Sequence, residues 1–115
     1  MRKVELNKLV GTCDSDIFKS MVEGGDLQAE KIVDLVNTVV EITGYAMCHV
    51  TTDDKEFDVN YYATDEGFFQ SGSSWFLESV ERYYGKCEKF KISKIKTSKG
   101  STYKASPVLS TNKAE

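Results

Sequence analysis

The order in which apolar residues change their spacing constrains this chain more than any other feature. Between Asn37 and Ser71 they alternate with period two, from Phe76 to Tyr84 they follow a helical period, and from Glu88 to Val108 alternation returns. Val40, Ile42, Gly44, Ala46, Cys48 and Val50 share one face of a first strand, and Gly44 marks a bend or bulge within it. The polar run from Thr51 to Glu56 leads into a second strand over residues 57–63. Asp65-Glu66-Gly67 then reverses the chain into a short third strand, 68–71. Ser73 or Ser74 caps a helix carrying Phe76, Leu77, Val80 and Tyr84, and Gly85 ends it. Two last strands, 88–97 and 101–108, turn at Lys99-Gly100. Ile95 is out of phase with Phe90 and Ile92, which predicts a bulge near Ser93-Lys94.

Three strands, a helix and two strands is the order of the OB-fold, a partly open barrel that binds oligonucleotides or oligosaccharides. An α+β sandwich, or a curved sheet with one helix across it, has the same order of elements. Ahead of the barrel, residues 14–25 read as a helix. Asp14 caps it, Ile17, Phe18, Met21 and Val22 form its stripe, and Gly24-Gly25 stops it. Residues 29–36 read as a second short helix through Ile32, Val33 and Val36. The fold class expected is therefore mainly β with α: a five-stranded OB-like antiparallel barrel, a helix between strands three and four, and a helical N-terminal extension. At 115 residues, with Pro107 as its one proline and no linker, the chain reads as a single domain. Its parts are the extension at 1–36, the barrel at 37–108 and a flexible tail at 109–115.

The longest uncharged apolar stretches run only a few residues, too short for a bilayer-spanning helix. Glu5 and Lys8 interrupt the N-terminus before any signal-like apolar run develops. Cys13, Cys48 and Cys87 are odd in number and widely spaced, which argues against a disulfide framework and for a reducing, cytoplasmic location. No zinc-ligand spacing joins these cysteines to His49, and the acidic turn Asp53-Asp54 lacks the EF-hand pattern. Cys48 and Cys87 read instead as small buried residues. With a single histidine, no nucleophile elbow and no P-loop, the sequence predicts neither an enzyme, nor a metal, nor a cofactor.

Charge is divided along the chain. Residues 1–80 hold 6 basic and 15 acidic side chains, a balance of −9. Residues 81–115 hold 9 basic and 3 acidic, a balance of +6, which gives the net −3. Lys86, Lys89, Lys91, Lys94, Lys96, Lys99 and Lys104 lie in one 19-residue segment opposed only by Glu88. On a hairpin they can follow a phosphodiester backbone, or they can simply protect a strand edge from aggregation. Lys89 and Lys91 share a face, and the expected bulge redirects Lys94 and Lys96. Tyr45, Tyr61, Tyr62, Phe69, Trp75 and Tyr103 are too many rings for so small a core. Tyr61 and Tyr62, adjacent in a strand, must face opposite ways. An exposed ring offers a nucleobase a stacking surface, for which Tyr61 or Tyr62, Phe69 and Tyr103 are the candidates. Trp75, at the start of the helix, is expected to plug the core.

The stretches VVEITGYAM, FFQSGSSWFLESVERYYG and FKISKIKTSKGSTYKASPV, within 31–108, resemble the small single-stranded DNA-binding proteins of tailed phages. The resemblance implies an OB barrel that coats exposed strands during replication or recombination in a host cytoplasm. The acidic tail with which bacterial relatives recruit partners has no counterpart in the terminal STNKAE. The partner expected is single-stranded nucleic acid, with no membrane; a second copy of the chain is compatible with the sequence. The competing reading is a phage protein-interaction module whose acidic first half docks on and inhibits a host protein.

Overall fold

In the computed structural model, residues 2–11 and 14–109 are described. The elements are β1 (Lys3–Val10), α1 (Ser15–Gly24), β2 (Ala29–Lys31), a 3-10 turn (Ile32–Leu35), β3 (Val39–Thr51), β4 (Glu56–Thr64), β5 (Gly67–Ser71), α2 (Ser74–Tyr83), β6 (Lys89–Thr97) and β7 (Gly100–Pro107). The molecule is mainly β: one curled, open sheet with two helices. The sheet order is β2-β5-β4-β3-β6-β7, and only β2 and β5 run parallel. β1 pairs with the far part of β3, Tyr45 to Thr51, while β6 pairs with its start, Val39 to Glu41. One 13-residue strand thus carries both.

The N-terminal expectation needs correction. Among the described residues, the stretch expected as a helical extension (1–36) contains two strands, β1 and β2, besides α1, and the sheet has seven strands rather than five. Only α1 is a helix of the expected kind. Asp14 Oδ1 accepts from the Asp16 and Ile17 N–H groups at 2.9 and 3.2 Å. Gly25, in the left-handed region at φ 75°, closes its far end by donating to Met21 and Val22. The stretch expected as a second helix is split between β2 and the 3-10 turn. Cys13 and residues 110–115 of the expected tail lie outside the described residues.

A bulge at Thr43 explains where the apolar residues of β3 go. Ile42 faces Thr64 and Gly44 faces Ala63, so two steps on β3 match one on β4. The alternation changes phase there. Ile42 and Tyr45 enter an inner core, whereas Ala46, Cys48 and Val50 enter an outer one. The central strands of the sheet are therefore buried on both faces. Inside the curl, α2 delivers Phe76, Leu77 and Val80 onto Tyr62, Phe69, Phe90 and Ile92. Ser79 fastens this helix to β7: its Oγ donates to the Phe76 carbonyl at 2.7 Å and accepts from the Ala105 N–H at 2.9 Å. Outside, α1 lays Phe18 and Val22 on Cys48, Val50 and Tyr61, and β1 adds Val4. Full burial of each such side chain contributes about 1.5–3 kcal/mol.

No bulge interrupts the last hairpin. Its register runs unbroken from Phe90 opposite Pro107 to Thr97 opposite Gly100, which overturns the irregularity expected near Ser93-Lys94. Ile95 stays on the face opposite Phe90 and Ile92.

Candidate nucleic-acid interface

The basic segment forms an arm. Ile92 is its last anchor to the lead-in of β3: its N–H donates to the Thr38 carbonyl at 3.0 Å and its carbonyl accepts from the Asn37 N–H at 2.7 Å. Beyond it, residues 93–97 of β6 pair only with β7. They extend roughly 17 Å past the beginning of β3 at about 3.3 Å per residue. The molecule measures 53 × 37 × 21 Å along its principal axes. A two-residue loop, Ser98-Lys99, closes the tip, with Gly100 at φ 136° and the Thr97 hydroxyl donating to the Gly100 carbonyl at 3.2 Å.

Because the ladder is regular, the lysines divide between its faces. Lys94 and Lys96 continue the row of Phe90 and Ile92 outward past the inner core, whereas Lys89 and Lys91 share the other row with Ser93 and Ile95. Lys104, opposite Ser93, belongs to that second row. Lys94 and Lys96 are therefore not turned to the side of Lys89 and Lys91. Lys89, Lys91, Lys94, Lys96, Lys99 and Lys104 are all exposed, so the arm is basic on both faces and at its tip. The backbone adds donors. Ile92 and Ala105 direct their N–H groups away from each other, to Thr38 and Ser79. Two and four residues further out, Lys94 and Lys96 repeat the orientation of Ile92 along an edge that no other strand covers among the described residues.

The aromatic candidates fall differently. Tyr61 and Tyr62 face opposite ways, but both are buried, at 8% and 0% exposure, and Phe69 is at 1%. Tyr61 lies edge-on to Phe18 of α1, with ring centres 5.8 Å apart. Tyr62 stacks on Phe69 at 4.8 Å and meets Phe76 edge-on at 5.1 Å. None of the three presents a ring to solvent, since α1 occupies the outer face and α2 the inner. Tyr103 is half-buried against the inner core. Trp75 reverses its expectation: it is 58% exposed, outside the core it was to plug.

Trp75 stands in a groove of about 290 Å³ between α2 and the arm, lined also by Glu78, Ser79, Arg82, Ile95 and Lys104. The four α2 residues are spaced i, i+3, i+4, i+7, one face of a helix. That spacing is legible in the sequence, one residue off the apolar stripe of Phe76 and Val80. Ser73, the N-cap of α2, steadies the groove. Its hydroxyl accepts from the Phe76 N–H at 3.2 Å and meets the Thr102 hydroxyl of β7 at 2.8 Å.

The opposite end of β3 is acidic. His49 Nδ1 lies 2.8 Å from Asp58 and Nε2 3.0 Å from Glu56, and these hydrogen bonds, that to Glu56 foremost, raise its pKa above the ordinary histidine value. Cys48, in the outer core, has its thiol pushed up to about 11 by burial. Cys87 is half-exposed rather than buried, its thiol donating to the Lys89 carbonyl at 3.0 Å. Among the described residues, no cluster of three histidine, cysteine or carboxylate side chains suits a metal, and no helix is long and apolar enough to cross a membrane.

Set against protein-family models, curated proteins and solved structures, the chain matches none of them.

Proposed function

We propose that this protein binds single-stranded nucleic acid without acting on it chemically, holding the phosphates along the β6–β7 arm and coating strands exposed during replication or recombination. The observation that carries this reading is the arm itself: six exposed lysines on a hairpin that reaches beyond the sheet, with outward N–H groups between them. Protecting a strand edge takes a charge or two, whereas this arm is basic on every side. Strand order adds support. The path β5-β4-β3-β6-β7, with α2 between β5 and β6, is compatible with an OB-type barrel left open between β5 and β7. The burial of Tyr61, Tyr62 and Phe69 removes the sheet face from the interface and leaves the arm and the groove at its base.

The test is binding of labelled oligo-dT across a salt series. Each phosphate contact to a single strand contributes about 0.7 to the slope of log affinity against log salt. Replacing Lys94, Lys96 and Lys99 together with Ala should therefore flatten the slope by about 2 while the protein stays folded. An unchanged slope would assign these lysines to solubility, and no binding at low salt would end the reading.

A further inference from the structure

We infer that the groove at the base of the arm is a base-reading site: one nucleobase stacks on Trp75, and the Glu78 carboxylate selects guanine. The inference rests on the nucleic-acid reading above and deepens it. Trp75 is the largest exposed ring among the described residues, and Ile95 supplies apolar surface beside it. A groove of about 290 Å³ lies below the usual range for a drug-sized ligand and suits a single flat ring. Stacking on an aromatic side chain is open to every base, so Trp75 alone gives affinity without choice.

The polar groups of the groove supply the choice. Ser79 is already committed on both sides, to Phe76 and to Ala105, and has no role toward a ligand. Glu78 and Arg82 are exposed and enter no ion pair among the described residues. A carboxylate accepts two parallel hydrogen bonds from the adjacent N1–H and N2–H of guanine. Thymine offers one N–H between two carbonyls, which repel the carboxylate. Bases in single strands present this edge freely once unstacked. Arg82, one turn beyond Glu78, and Lys104, on β7, place positive charge where the flanking phosphates pass on their way to the arm.

The experiment uses the full chain and two labelled oligonucleotides, oligo-dT and the same oligomer with one central guanine. Trp75 is the only tryptophan, so its emission reports the groove directly. The guanine oligomer should bind about tenfold more tightly, the lower end of what one bidentate base contact gives, and quench Trp75. Glu78→Gln should remove the preference, the guanine oligomer losing its roughly tenfold advantage while oligo-dT binds no more weakly than before, since the amide no longer repels the thymine carbonyls. Trp75→Ala should weaken both oligomers, and Trp75→Phe should retain most of the affinity. Both positions are exposed, so these changes spare the core. Equal affinity for the two oligomers with silent Trp75 emission would overturn the base site while leaving the arm's role intact. Failure to bind either oligomer at low salt would overturn both.

Discussion

Tyr62 offers the sharpest test of the packing. It lies opposite Tyr45 across β3 and β4, and its ring is enclosed by Phe69 and Phe76. Its hydroxyl is buried with no hydrogen-bond partner among the described residues. Burial, and then nearby Glu81, push its pKa far above the ordinary phenol value, so the group stays neutral. An unsatisfied buried hydroxyl costs about 1–3 kcal/mol. Tyr62→Phe removes that cost and keeps the ring. The void left by one oxygen, roughly 10 Å³ at about 24 cal/mol per Å³, returns only about 0.2 kcal/mol. Tyr62→Phe should therefore stabilise the protein by about 1 kcal/mol, a rise in Tm of roughly 4 °C for a domain of this size. Tyr45→Phe is the control. The Tyr45 hydroxyl donates to Glu81 at 3.2 Å, so its loss should destabilise by about 1 kcal/mol. Urea denaturation at constant m gives both values. A Tyr62→Phe variant less stable than the parent by more than about 0.5 kcal/mol would show that the hydroxyl has a partner, and the reasoning fails.

Gly11, at φ 94°, has room for no side chain: a Cβ there would come within 2.6 Å of the Thr43 carbonyl and 2.7 Å of the Gly44 Cα. Gly11→Ala should cost about 2–3 kcal/mol by denaturant titration. Phe18→Ala should cost about 3–5 kcal/mol by opening the outer core, and a loss under 1 kcal/mol would mean that α1 does not hold the sheet. His49 has its folded pKa raised above the unfolded value, so the stability it contributes is full below about pH 6.5 and is lost as pH rises through the folded pKa. The stability gap between the parent and His49→Gln should accordingly be larger at pH 5.5 than at pH 8.5, and a gap that widens with pH would reverse the assignment.

What the sequence made legible was local chemistry. α1 was readable from Asp14 and Gly25, α2 from its Ser73 cap, and the last hairpin from its turn and alternation. β1 was not, because a register shift between Leu6 and Lys8 breaks its alternation and its charges mask the rest. The single face drawn through Val40 and Val50 failed at Thr43, where an extra residue swaps inside for outside. The candidate site was legible as a charge pattern and illegible as a set of rings. Tyr61 and Phe69 read as free surfaces only while the outer and inner faces are taken to be bare. That α1 folds back over one of them is a tertiary fact with no local signature. Trp75 was misplaced for the converse reason: it sits one residue off the stripe of Phe76 and Val80, and on a helix one residue is a 100° turn.

The outer layer also gives the molecule a built-in chemical clock. Cys48 lies beneath α1 and β1, 2% exposed, where the covering layer keeps reagent away and burial pushes its thiol pKa up, lowering the reactive thiolate fraction. In a chain carrying Cys13→Ser and Cys87→Ser, any alkylation by a thiol reagent must wait for that layer to lift. If the layer separates before the curled sheet unfolds, the labelling rate yields an opening free energy below the global value, and Phe18→Ala accelerates it more than Tyr62→Ala does. If both substitutions accelerate labelling in proportion to their effect on global stability, β3 welds the two cores into one cooperative unit.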